Sequence, residues 1–401
     1  MPDTNVTYID EAEIKNKRVL VRVDFNISLT TEFTIADDAR IRQSLPTLQH
    51  LLKNGNKLII VTHFGRPKGR DNKLSNKIVA DKLQEYLPQY KVKLINDFIT
   101  DDPSVFTQQK EDEILMLENI RYYGEEKKND LSFAKKMADL ADVYVNDAFG
   151  VSHRADASVV GVPTVMKSQE NKPVYGGLLL KKEVKMIAKV IDNPHKPLVA
   201  IIGGSKISNK INLIGRLMEI ADDLIVGGGL ANTFLSAQGF KVGKSICEYE
   251  EMDNARRLFF NAALKHTTIQ LPLDVVVGKT KEDQNAVVKR IEDITEDDYI
   301  LDIGPETQAK YGMIIAKAKT IVWNGPVGYF ENPSYKRGTD FIYYAITHND
   351  DAISIVGGGD TLAAISKEEY LNKITHISTG GGAMLEFIEK GTLPGIEALK
   401  K

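Results

Sequence analysis

Cysteine is all but missing from this chain of 401 residues. Cys247 is the only one, so no intrachain disulfide can form, and a reducing cytoplasm is the expected location. An excess of either charge is missing too. Lys and Arg number 52 against 55 Asp and Glu, a net of -3, which gives no support for nucleic acid or an anionic membrane as partner. No apolar run approaches the roughly 20 residues that cross a bilayer, and the first residues lack the basic and apolar regions of a secretion signal. Repeats and low-complexity segments are absent. No G-x-G-x-x-G occurs, and Gly239 to Ser245 is one residue short between its glycines for a P-loop. Neither His63 nor His153 has a second His or Cys at ligand spacing, which argues against a metal held by them.

What is present is an ordinary globular composition, 42% hydrophobic and 27% charged, in a chain whose length favours two domains. Short β-branched runs alternate with helical patterns throughout, predicting α/β architecture with parallel sheets covered by helices. Strands are expected at 18–24, 57–63, 92–95, 113–118 and 142–147 in the front half. In the back half they are expected at 198–202, 224–226, 275–277, 300–303, 320–323, 352–356 and 376–378. A long helical stretch over 176–192, ended by Asn193-Pro194, separates the two sets, and the acidic stretch 292–298 reads as a solvated loop.

The halves differ in chemistry. Five back-half strands run into glycine loops: Gly203-Gly204, Gly227 to Gly229, Asn324-Gly325, Gly357 to Gly359 and Gly380 to Gly382. Glycine lets a ligand reach the main chain, and a first helical turn leaves N–H groups unpaired, so the set points to a phosphate-rich ligand such as a nucleotide. Lys206 and Lys210, four apart at the start of the pattern Ile207, Ile211, Ile214, Leu217, Met218, are expected on one helix face near its N-terminus. Asp360 is placed to hold a phosphate-bound magnesium ion. The front-half strand ends instead carry Asp24, Asn26, Arg40, His63, Arg66, Arg121, His153 and Arg154. Guanidinium groups converging there suit a small anion with carboxylate and phosphate groups.

These residues fall into an ordered set of motifs: Arg22-Val-Asp24-Phe-Asn26, Asp37-Asp38-Ala-Arg40, His63-Phe-Gly-Arg66-Pro67, Leu117-Glu-Asn-Ile-Arg121 and Asn146 to Gly150 continuing to His153-Arg154. Then come Gly203-Gly-Ser-Lys206, Gly227 to Ala231, Trp323 to Glu331, Gly357 to Thr361 and Ser378 to Ala383. In this order they make the chain resemble the phosphoglycerate kinase family over nearly its whole length. The resemblance implies two Rossmann-like three-layer lobes with mainly parallel sheets, joined by an interdomain helix. An N-lobe over 1–175, with 385–401 packing back on it, would bind 3-phosphoglycerate through Asp24, Asn26, Arg40, His63, Arg66, Arg121 and Arg154. A C-lobe over 176–384 would bind ATP or ADP with Mg2+ through Lys206, Lys210, Asn324, Glu331, Gly358, Gly359, Asp360 and Thr361, with Asp360 toward the metal.

The implied reaction is reversible transfer of a phosphoryl group from ATP to the carboxylate of 3-phosphoglycerate, giving 1,3-bisphosphoglycerate and ADP, by a monomeric glycolytic enzyme. A carboxylate needs no general base, so Arg40, Lys206 and the N–H groups around Gly381 are the expected charge-stabilising groups. Another acyl-phosphate-forming kinase is the alternative. Ser28, where the family has proline, and Asn209, where it has aspartate, depart from the pattern. Water would destroy an acyl phosphate, so the lobes are expected to close. Small-angle scattering should then give a smaller radius of gyration with 3-phosphoglycerate plus a magnesium-bound, non-hydrolysable ATP analogue than with either alone. Identical scattering in every state, at confirmed saturation, would count against closure.

Overall fold

The computed structural model describes residues 5–365 and 368–401. The chain divides into two compact units, 1–185 with 390–401, and 186–389. The division runs inside the helix Leu178–Asp192, which begins two residues after the predicted 176 because Val174–Gly176 forms a strand.

The first unit is built on a six-stranded sheet in the order Lys91–Ile95, Glu113–Leu117, Lys57–Val61, Arg18–Arg22, Val143–Asn146, Val174–Gly176, every pair parallel. Consecutive residues Val19, Leu20 and Val21 are all buried, as a strand covered on both faces requires. Ile41, Leu48, Leu51 and Leu52 turn the apolar stripe of helix Ala39–Lys53 into the same core as Val19, Val21, Leu58 and Ile60. Asp147, fully buried at a strand end, accepts from the N–H groups of Leu179 (2.9 Å) and Leu180 (3.3 Å) and so caps the start of the long helix. The C-terminal segment joins this unit: Gly395 N–H donates to the Ser152 carbonyl at 2.8 Å, and Lys167 Nζ to the Lys400 carbonyl at 2.6 Å.

The second unit repeats the plan. Its main sheet runs Thr268–Gln270, Asp223–Val226, Leu198–Ile202, Thr320–Asn324, Ile353–Val356, His376–Ile377, all parallel. Two expected members do not belong to it. Asp274–Gly278 and Tyr299–Ile303 pair antiparallel in a separate three-stranded sheet with Val287–Arg290, a strand the sequence analysis missed. A short β-branched run signals a strand but not its partner. The acidic stretch is exposed as expected at Glu292, Asp293, Glu296 and Asp297, but Asp298 is buried, with Lys289 at 2.7 Å, Lys279 at 3.1 Å and the Thr295 N–H at 2.8 Å. It anchors the turn before Tyr299–Ile303.

In both main sheets the first strand of the unit lies centrally, with later strands added on either side. The crevice where strand order reverses, beyond the carboxyl ends, is where such sheets bind ligands.

Candidate functional site

In the first unit, strand Arg18–Arg22 leads into Asp24 and Asn26, and strand Lys57–Val61 leads into His63 and Arg66. The two strands are parallel neighbours, so their ends meet. Arg40 Nη1 donates to Asp24 Oδ2 at 2.9 Å and to the Asn26 carbonyl at 3.0 Å. Asn26 Oδ1 accepts from Gly65 N–H at 2.8 Å, and Arg121 Nη1 donates to the Gly65 carbonyl at 3.0 Å, so the turn before Arg66 is held from both sides. Arg121 is itself buried, with Asp156 at 3.9 Å. Arg66 and Arg154 are exposed, and their side chains make no hydrogen bond or ion pair among the described residues. The uncommitted guanidiniums of Arg66 and Arg154 have the charge and fork geometry that suit an anion. His63 is drawn well below the usual histidine pKa, first by burial and then by Arg22, Arg121, Arg40 and Arg154 around it. The ring is neutral at pH 7. His153 is half-buried on the turn before Arg154.

Sequence reasoning gave no role to Arg22, Ser158 or Glu126, all buried beneath this cluster. An arginine between Val21 and Val23 in a strand covered on both faces was the available signal.

In the second unit the five glycine loops follow five parallel strands and gather on one sheet edge. They are bonded together. Gly203 N–H donates to the Asn324 carbonyl (2.9 Å), Asn324 Nδ2 to the Gly357 carbonyl (2.6 Å), and Gly325 N–H to Thr361 Oγ1 (2.7 Å). A Cβ on Gly381 would stand 2.3 Å from the Gly358 Cα, so only glycine permits these two loops to touch. Asn324 and Thr361 thus serve as loop braces, with Thr361 fully buried. The N–H groups of Gly381 and Gly382 open the helix Gly381–Lys390, whereas Gly380 N–H is taken by Ser378 Oγ at 3.3 Å.

The two lysines do not share a helix face. The helix starts only at Ile211, with Lys210 as its cap, and Lys206 lies before the turn at 208–210 that leads into it. The turn is pinned elsewhere, since Ser208 donates to Glu248 through its N–H (3.0 Å) and its hydroxyl (2.6 Å). Lys210 Nζ donates to the Gly203 carbonyl (2.7 Å) and Asn324 Oδ1 (2.9 Å). Burial pushes its pKa down to about 8, against the pull of Asp360. Lys206 is exposed and has no hydrogen bond or ion pair among the described residues. Cys247 is half-buried, and burial raises its thiol pKa.

A cavity of about 260 Å³ opens beside these loops, lined by Gly204, Gly229, Val327, Glu331 and Asp360, with Tyr299 to Ile303 of the small sheet as one wall. Sequence reasoning found the loops but not this wall. Asp302 in it is 2% exposed and accepts from the Ile303 (2.9 Å) and Gly338 (2.7 Å) N–H groups. Desolvation outweighs both bonds and pushes its pKa up to about 8. Between the ordinary carboxyl pKa and that value the folded chain holds a proton that the unfolded chain has released, so this contribution to stability is lost as pH rises. Asp302→Asn, which cannot ionise, should therefore lose less melting temperature than the parent from about pH 5 to about pH 8. Equal losses would show that Asp302 titrates normally.

The family model described as Phosphoglycerate kinase matches residues 9–391. The chain belongs to the phosphoglycerate kinase family. Among curated relatives, the phosphoglycerate kinase of Dictyoglomus turgidum is 45% identical over 402 residues, covering 100% of both chains. That of Koribacter versatilis is 45% identical over 98% of both. Among solved structures, phosphoglycerate kinase from Coxiella burnetii superposes with a TM-score of 0.86 at 41% identity, covering 98% of each chain. The Pyrococcus horikoshii enzyme gives 0.84 at 32% identity, again over 98% of each. The chain is thus a member of a family of phosphotransferases with a carboxyl acceptor, and its two-unit, mainly parallel α/β fold is that of these structures. Among the described residues no helix is long and apolar enough to cross a membrane.

Proposed function

We propose that the chain moves a phosphoryl group reversibly between ATP and the carboxylate of 3-phosphoglycerate, giving 1,3-bisphosphoglycerate and ADP. The observation that carries this reading is the partition of chemistry between the units. One has uncommitted arginines at strand ends; the other has five glycine loops on neighbouring strands, an uncommitted lysine and a cavity. The first suits a compact acid with a phosphate. The second suits a longer ligand that lays a polyphosphate along main-chain N–H groups and places an apolar base in a cavity.

In this reading Arg66, Arg121 and Arg154 take the acid's phosphate, while Asp24, Asn26, Arg40 and His63 take its other end. Gly358, Gly359, Asp360, Thr361 and Lys210 shape the polyphosphate site, Asn324 braces it, and Glu331 accepts from the ribose. Arg40, Lys206 and the Gly381 N–H stabilise charge on the moving oxygens. No proton has to be removed, because the acceptor carboxylate is already ionised at pH 7. Asp360 is the carboxylate on the glycine loop itself, and no cluster of three His, Cys, Asp or Glu side chains stands among the described residues. That fits Mg2+, which takes one or two protein carboxylates and completes its shell with phosphate oxygens and water. When bound, the ion supplies neutralisation of phosphate charge. A coupled assay with ATP and, side by side, 3-phosphoglycerate, acetate and aspartate tests the proposal. Turnover with acetate or aspartate but not with 3-phosphoglycerate would overturn it.

A further inference from the structure

We propose that Arg22 holds His63 in the tautomer with its proton on Nε2, and that Glu126, acting through Ser158, is the positioning residue that keeps Arg22 there. The role given to His63 rests on the reading that this unit binds the acid. The tautomer rests on geometry alone.

Arg22 ends the central strand Arg18–Arg22 and is wholly buried. Its guanidinium is held at three points: Nε donates to Ser158 Oγ at 2.8 Å, Nη1 donates to the Val23 carbonyl, and Nη2 stands 3.3 Å from His63 Nδ1. A guanidinium has donors only, so the nitrogen facing Nη2 must present a lone pair. Nδ1 is therefore unprotonated. The other candidate partner of Nδ1, Asp24 Oδ1, is at 3.7 Å, too far for a hydrogen bond. The ionisable groups facing the ring are Arg22, Arg40, Arg121 and Arg154 against the single carboxylate Asp24, so a second proton is also repelled. The proton of the neutral ring sits on Nε2, which has no protein acceptor among the described residues. The site gains an uncharged donor for a hydroxyl or carboxylate oxygen of the acid.

Glu126 orients this arrangement from below. It is 1% exposed, accepts from the Ser158 hydroxyl at 2.6 Å through Oε1, and accepts from the Ser158 N–H at 2.8 Å through Oε2. With its one proton given to Glu126, the Ser158 hydroxyl must turn a lone pair to Arg22 Nε. If Ser158 could not accept, the guanidinium would lose one of its three anchors and its claim on His63 would weaken.

The test is 15N NMR of the full chain labelled at histidine, with His63 assigned by the signals missing in His63→Gln. The expected pattern is a pyridine-like Nδ1 and a pyrrole-like Nε2, unchanged from about pH 6 to about pH 8. Glu126→Gln and Ser158→Ala should each broaden or shift that pattern toward protonated Nδ1. They should raise the KM for 3-phosphoglycerate about tenfold with kcat changed less than about twofold, as loss of one oriented bond to an anion implies. If Glu126→Gln fails to fold, Ser158→Ala, which deletes one hydroxyl, carries the test. A pyrrole-like Nδ1, a doubly protonated ring at pH 7, or the parent pattern retained in both variants would overturn the inference. The expected NMR pattern in a parent chain that does not turn over 3-phosphoglycerate would uphold the tautomer and sink the substrate.

Discussion

Lys206→Ala should lower kcat by about 100- to 1000-fold, a loss of about 2.7–4 kcal/mol of transition-state stabilisation, while ATP affinity changes little. The ammonium is exposed, uncommitted, and next to Gly204 and Ser205 at the rim of the cavity. It has no hydrogen bond or ion pair among the described residues, so its charge is available where negative charge spreads over the moving oxygens. Lys210 makes the contrast. Its ammonium bonds to the Gly203 carbonyl and to Asn324, so Lys210→Ala should loosen the loops and cost ATP affinity and melting temperature as well as rate. Steady-state kinetics with titration calorimetry separate the two. An unchanged kcat in Lys206→Ala would remove this lysine from the reaction.

Arg66→Ala should raise the KM for 3-phosphoglycerate about 10- to 100-fold, from loss of a charge-assisted bond of about 1.5–3 kcal/mol, and leave ATP binding intact. Arg66 has no structural partner to lose, so the variant should melt like the parent. Arg121→Ala should share the effect on the acid but melt lower, because Arg121 also holds the Gly65 carbonyl from a buried position. Glu331→Ala should weaken ATP and spare the acid. Loss of ATP binding by folded Arg66→Ala would refute the assignment of the two ligands to two separate sets of residues.

The residues that meet ligands were legible because their local signals are strong. Short β-branched runs such as Leu198–Ile202, bounded by glycine, read as buried strands, and the glycines behind them are needed wherever backbones approach closely. Exposed cations at strand ends, Arg66 and Lys206 among them, needed no partner to be noticed. The helix start was misread for the same local reason. Ile207 continues the apolar period of Ile211 and Ile214, but it is buried from a turn that Glu248 pins through Ser208.

By itself, then, the sequence determined the alternation of strands and helices, the two sets of chemistry and the positions at which each reaches a strand end. These depend on period, glycine and charge within a few residues. Tertiary structure alone decided that the strands at 275–277 and 300–303 leave the parallel sheet to wall a cavity, that Asn324 and Thr361 brace loops, and that Arg22, Ser158 and Glu126 form a buried chain under His63. Each of these depends on residues far apart along the chain, Arg22 and Ser158 by 136 positions. Which distant groups meet is set by how the sheets close and what they bury, and no local pattern carries that information.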